Sequence, residues 1–250
     1  MRASLARPPK PIAVEACGLM LAEFERKYRS KNRPVVIRNA TQSSSKRFRE
    51  LTRISSLLQA YGNASITVSS ANSFSYGRRR LRLREYLGSI KKDGWKTSQP
   101  ADELYYWFGE HGDELKPLLE EYNLPVFLSS QTLVAGVGPA SETSIRVDNV
   151  ALSFGVAAHS SGVPFHVHND GFAEVMHGAK RWLFYDQRPP HFDPNVTSYA
   201  WLQDVYPNLN DDNAPEEVII YPGDLLYFPK GVWHSTVNIG TSVFISAFLA

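Results

Sequence analysis

The sequence predicts an α+β fold with a mainly β core, helices first and an antiparallel sandwich or barrel after them. Three observations predict it. Apolar residues recur at helical spacing through the first half of the 250-residue chain. From about residue 126 that period gives way to short apolar runs of strand length. The breaks between those runs are turn signals such as Pro222-Gly223-Asp224, where proline and glycine suit the second and third places of a type II turn. No internal repeat and no dividing linker interrupts the pattern, so one domain over residues 18–250 is expected, with an opening part over 18–125 and a β core over 126–250.

Residues 1–17, with Pro8, Pro9 and Pro11 close together, read as a disordered lead-in. Leu21, Phe24 and Tyr28 then follow helical spacing, with Glu23, Glu25, Arg26 and Lys27 between them. Pro34-Val35-Val36-Ile37 reads as a buried strand with proline at its start. Ile54, Leu57, Leu58 and Tyr61 mark a second helix closed by Gly62. Ile66 and Val68 alternate with polar residues as in a half-buried strand. A third helix carries Leu83, Tyr86, Leu87 and Ile90 on one face, Leu104–Phe108 is an aromatic strand, and Leu115, Leu118, Leu119 and Tyr122 mark a fourth helix. Strands are expected over 131–137, 143–155, 163–168, 172–177, 180–186, 217–221, 224–228, 233–238 and 242–249. The helices are expected to pack outside the barrel.

Composition removes several classes of function. The chain is 43% hydrophobic and 21% charged, ordinary for a globular core, and a net charge of +2 gives no reason to expect nucleic-acid binding. The single Cys17 excludes an internal disulfide and a cysteine-built zinc cluster. No apolar run approaches the roughly 20 residues that span a bilayer. Met1 to Pro11 is basic and lacks the apolar block of a secretory leader, which points to the cytoplasm or nucleus unless a leader lies outside this chain. Three glycan-acceptor triplets, at Asn39, Asn63 and Asn195, speak weakly for a secretory route. The run Arg78-Arg79-Arg80, continued by Arg82 and Arg84, reads as a solvated helix face or a docking surface for an acidic partner.

The chemistry concentrates in Val163-Pro164-Phe165-His166-Val167-His168. Alternation puts His166 and His168 on one face of an extended segment, where two imidazoles two residues apart can hold one metal ion. His234, in Pro229-Lys230-Gly231-Val232-Trp233-His234, is the best candidate for a third nitrogen. Three histidines on a rigid sheet leave positions open for water or substrate. His111, His159, His177 and His191 have no partner at metal spacing and read as surface or structural residues.

The spacing of Gly223, Pro229, Gly231, His234 and Asn238 matches the second sequence motif of the cupin superfamily. The first motif is met only in part. Its His-x-His is present, but the glutamate that should follow is late, and Glu174 is the nearest candidate. Within that superfamily the chain resembles the jumonji-C family over roughly residues 19–250. The resemblance rests on Arg33-Pro34-Val35-Val36-Ile37-Arg38 after Phe24 and Tyr28, on Gly178-Ala179-Lys180-Arg181-Trp182, and on Gly223 through His234. Ser69–Tyr76, Gly162–His168 and Ser242–Leu249 liken it to a short branch of the family without extra domains.

The resemblance implies a double-stranded β-helix, a cupin-like jelly roll, with N-terminal helices outside. Active jumonji-C enzymes hold Fe(II) with two histidines and a carboxylate and use 2-oxoglutarate and oxygen to hydroxylate proteins. Carried over, His166 and His234 are the histidine ligands, but the carboxylate position is His168. Asp170 is near but displaced along the chain. Lys180 matches the lysine that pairs with 2-oxoglutarate, and its bland alternative is a surface lysine beside Arg181. The usual hydroxyl three residues before the first histidine is Val163. These departures imply a three-histidine site for Fe(II), or for another divalent metal such as zinc, with 2-oxoglutarate in doubt. They favour a regulatory protein-binding member, the alternative being an oxygenase that uses His166, His168 and His234 on a protein substrate. A monomer is expected, because no helical region follows the last strand. By resemblance to that short branch, the endoplasmic reticulum lumen is a further possible location.

Overall fold

The computed structural model describes residues 9–90, 100–109, 112–128 and 150–249. It is a mixed α+β structure built on an 11-stranded, mainly antiparallel sheet. The strands are β1 (Lys10–Pro11), β2 (Ala13–Glu15), β3 (Val35–Ile37), β4 (Ser65–Ser70), β5 (Arg78–Arg82), β6 (Tyr105–Phe108), β7 (Val150–Ala157), β8 (Gly171–Tyr185), β9 (Glu216–Ile220), β10 (Leu225–Phe228) and β11 (Trp233–Leu249). Their order along the sheet is β2-β3-β10-β8-β11-β7-β6-β4-β5, and β9 pairs with the second half of β8. The helices are α1 (Leu21–Lys27), α2 (Lys46–Leu51), α3 (Ile54–Tyr61), α4 (Leu83–Ile90), α5 (Lys116–Leu119) and α6 (Ser198–Asp204).

The ribbon of β8 and β11 is the spine. The two run antiparallel from Trp233 opposite Tyr185 to Phe248 opposite Gly171. Strand alternation divides their side chains between two cores. Val175, Trp182, Phe184 and Phe244 meet Val36, Val218, Ile220, Leu226 and Phe228 in one interior cluster. Met176, Val243 and Ile245 point the other way and pack against Phe48 of α2, Leu57 of α3, and Leu83 and Leu87 of α4. The helices therefore cover the sheet face opposite the interior cluster.

Several expected elements differ in detail. The strands expected over 172–177 and 180–186 are one strand, as are those over 233–238 and 242–249. Gly178 (φ +79°) and Gly240 (φ +72°) are left-handed, and the register shifts beside them, so they make bulges that kink the ribbon. A Cβ at Gly178 would lie 2.6 Å from the Thr241 carbonyl oxygen, which only glycine avoids. Within the expected lead-in, β1 and β2 pair in parallel with β9 and β3, and Ile12 between them is buried.

The fourth helix is short, a 3₁₀ turn at Asp113–Leu115 followed by α5. Helix α2 and helix α6 stand where no helix was expected. The Thr197 hydroxyl caps α6 by accepting from the Ala200 amide at 3.0 Å. Of the arginine run, Arg78, Arg79, Arg80 and Arg82 lie on strand β5 at the end of the sheet, and only Arg84 lies on a helix, α4. The expected strand over 131–137 lies outside the described residues. The turn at Pro222-Gly223 is as expected, with Gly223 at φ +99° and the Asp224 amide donating to the Tyr221 carbonyl at 3.0 Å. No helix among the described residues is long and apolar enough to cross a membrane.

Candidate metal centre

The segment expected as a strand over 163–168 is irregular, yet it lies antiparallel beside β11. Asn238 donates its amide to Ser161, Thr236 to Val163 and His234 to His166, and His166 returns a bond to His234 at 3.0 Å. Two residues lie between 163 and 166 where one lies between 236 and 234. The extra residue falls beside Pro164, which has no amide to give to a ladder. Phe165 is thereby buried against Trp201 and Leu183, Val167 is turned outward, and the His166 ring faces His234.

The third imidazole arrives by a tight turn. Strand β10 ends at Phe228, and Gly231 takes φ +73° while its amide donates to the His168 carbonyl at 3.0 Å. That places His234 as the second residue of β11, stacked on Trp182 and Phe228 with centroids 5.6 and 5.5 Å apart. His168 sits edge-on to Phe228 and Phe248 at 5.2 and 4.9 Å. The candidate ligand nitrogens of His166, His168 and His234 all lie within 4.8 Å of one another.

The tautomers suit a cation. Each Nδ1 faces a backbone carbonyl: Pro164 at 2.7 Å for His166, Asn169 at 2.6 Å for His168 and Val232 at 2.9 Å for His234. A carbonyl only accepts, so each Nδ1 carries the proton and each Nε2 offers a lone pair. The Nε2 atoms of His168 and His234 are 3.0 Å apart. Two lone pairs at that distance repel unless a cation lies between them. A second ring proton is disfavoured there. Burial, and then the neighbouring imidazoles, lower the pKa of His166 to about 4 and that of His234 well below its ordinary value. Burial also lowers that of His168. The donor set therefore fits a divalent metal that accepts neutral imidazole nitrogen.

These shifts predict an acid weakness of the metal-free protein. The unfolded chain protonates His166 near 6.5, whereas the folded chain resists until about 4. Stability should be full above pH 6.5 and fall as the pH drops toward 4, by on the order of 3 kcal/mol from His166 alone. Urea melts across that range should show the slope, and His166→Asn should flatten it. An unchanged slope in the variant would contradict the assignment.

The two carboxylates near the motif are held elsewhere. Asp170 faces Arg29, with Nε to Oδ2 at 3.7 Å, and that guanidinium lies over Phe24 and Tyr227. Glu174 is buried on the opposite face, accepting from Ser45 Oγ at 2.8 Å and from the Tyr122 hydroxyl, and burial raises its pKa. Neither is in the histidine cluster, which corrects the possibility that Glu174 joins it as a fourth ligand.

Lys180 is not a surface lysine. It is 4% exposed, its Nζ lies 3.3 Å from the Phe244 ring centroid, and burial lowers its pKa well below the usual value. It has no carboxylate partner among the described residues. Opposite it on β11 stands Asn238, whose Oδ1 is buried without a partner among the described residues, as is Nε1 of Trp182 two residues along β8. Sequence reasoning left those two atoms unused. Counting in twos from His234 to Asn238 and from Lys180 to Trp182 places them on the histidine face. Of the remaining histidines, the half-buried His177 contacts the Arg49 carbonyl, His159 accepts from the Gly240 amide, and His191 takes φ +52°. His111 lies outside the described residues.

The three-imidazole cluster lies beside a long β8–β11 ribbon, and comparison with known proteins places the chain in a family. It belongs to the JmjC-domain proteins, which implies a cupin fold, and a JmjC domain model matches residues 140–249. It is similar to JmjC domain-containing protein 8 of Homo sapiens, 38% identical over 97% of this chain and 89% of that protein. The Rattus norvegicus protein of the same name is 38% identical over 87% of this chain and 74% of its own length. A more distant relative is the 2-oxoglutarate and iron-dependent oxygenase JMJD4 of Gallus gallus, 26% identical over 76% of this chain and 47% of that protein.

Proposed function

We propose that this chain is a double-stranded β-helix whose three-histidine centre binds a divalent metal, and that it acts as a regulatory, protein-binding member of its family and not as an efficient oxygenase. The β-helix reading is supported by the single interior cluster formed from both halves of the β8–β11 ribbon. The functional reading is carried by one observation: with Asp170 on Arg29 and Glu174 on Ser45 and Tyr122, three neutral imidazoles make up the cluster. A neutral set lacks the charge that a carboxylate lends to Fe(II), and divalent affinities then favour copper or zinc over iron. Val163 also offers no hydroxyl where a cosubstrate would be bound.

A second reading has its own support. Fe(II), when bound, would supply the activation of oxygen that 2-oxoglutarate oxygenases use. Among the described residues Lys180 is buried without an anionic partner, and Trp182 Nε1, whose ring centroid lies 5.9 Å from Lys180 Nζ, is an unused donor. Burial disfavours the Lys180 ammonium, so an entering carboxylate would restore that charge by pairing with it and would find a hydrogen-bond donor beside it. The two readings separate on one assay. Purified protein with Fe(II) and 2-oxoglutarate is expected to release succinate no faster than His166→Ala. Release clearly above that variant, abolished by Lys180→Met, would establish the oxygenase reading instead.

A further inference from the structure

We propose that the outer edge of β5, together with the exposed aromatic pair Phe74 and Tyr76, docks an extended acidic protein segment by adding it to the sheet as a further strand. This names the partner class for the protein-binding reading above, on which it rests. Strand β5 pairs only with β4 among the described residues, and it ends the sheet. Its ladder has a fixed phase. Ser70 donates its amide to Gly77 at one end, and Leu83 donates its amide to Ala64 at the other. Gly77 and Leu83 stand an even number of positions apart, so Arg79 and Leu81 turn their backbone groups toward β4, while Arg78, Arg80 and Arg82 turn theirs to the outer edge, where the Arg82 amide already donates to Glu85 Oε2 at 2.9 Å.

Arg80 and Arg82 share one face of the strand with Arg78, and their side chains reach neutral oxygens: Ser65 Oγ at 2.6 Å for Arg80 and the Asn63 carbonyl at 3.3 Å for Arg82. Arg79, Arg80 and Arg82 are exposed, and none has a side-chain ion pair among the described residues. Backbone donors and acceptors at an edge, alternating with guanidinium groups, suit a strand whose alternate residues are Glu or Asp.

The arginines run into an aromatic platform. Phe74 and Tyr76 are 57% and 73% exposed, with ring centroids 5.3 Å apart. Their loop is tied down by hydrogen bonds. Asn72 Oδ1 accepts from both their amides, and the Ser73 hydroxyl donates to the Phe165 carbonyl, one residue before His166. A segment laid along β5 would therefore continue toward the histidine cluster. An arginine-rich edge can also serve only to prevent aggregation, and a chain of nucleotides would find positive charge there too. A peptide fits better because an edge offers a ladder that a sugar–phosphate chain cannot use.

The test is fluorescence polarisation of the full chain with a labelled peptide of roughly eight residues, Glu alternating with Thr. Binding is expected, weakened roughly tenfold or more by the pair R80E and R82E. The same pair should gain affinity for the Lys–Thr counterpart, which shows that it is folded. N-methylation of alternate peptide amides, which blocks one strand edge and leaves the charge, should abolish binding. No binding, equal binding of the methylated peptide, or tighter binding of an RNA oligomer of equal charge would each overturn the proposal. Failure here leaves the metal and succinate results untouched, so the two readings fail separately.

Discussion

Replacing His234 by alanine is expected to lower metal affinity by at least about 100-fold. Losing a residue that merely orients a ligand commonly costs 10–100-fold, and loss of a direct ligand should exceed that. His234 is the buried member of the cluster, its ring fixed between Trp182 and Phe228 and by the Val232 carbonyl. The variant should still fold, because the link between the two segments is the pair of backbone bonds exchanged with His166, which alanine keeps. Titration with zinc against a competing chelator measures the loss. A change of only a few-fold would mean that His166 and His168 bind metal without it.

Phe24→Ala should destabilise the protein by about 3–5 kcal/mol, the range for removing a fully buried phenylalanine ring. Phe24 of α1 is 0% exposed and packs on Phe127, Tyr227 and Phe172 with centroids 4.8, 5.0 and 5.7 Å away. It also supports the Arg29 guanidinium at 4.9 Å, and Arg29 in turn faces Asp170, two residues beyond His168. The melting temperature is expected to fall on the order of 10 °C, and calorimetry measures it. A drop under about 1 kcal/mol would show that α1 contributes little to the sheet.

What could be read in advance depended on range. The three histidines were legible because two stand two residues apart in an alternating segment and the third follows a glycine–proline turn of fixed spacing. Strands Glu216–Ile220 and Leu225–Phe228 were legible for the same local reason. Gly178 and Gly240 were misjudged because a left-handed glycine looks alike in a turn and in a bulge, and only the partner strand decides. Strands β1 and β2 hid behind prolines, since a short parallel edge has no pattern apart from its partner. The arginine run fits a helix or a strand equally, and pairing with Ser65–Ser70 decides it. The fates of Asp170 and Glu174 rest on Arg29, Ser45 and Tyr122, each far away in sequence, so no local spacing could reveal them.

The central claim is that three imidazole nitrogens from two distant segments form one metal site. Elemental analysis of protein purified without added metal tests it most directly, with His166→Ala purified in parallel. Close to one divalent metal per chain is expected in the parent, with a near-complete loss in the variant. Equal metal content in the two proteins, or none in a parent that also fails to take up added zinc, would contradict that claim.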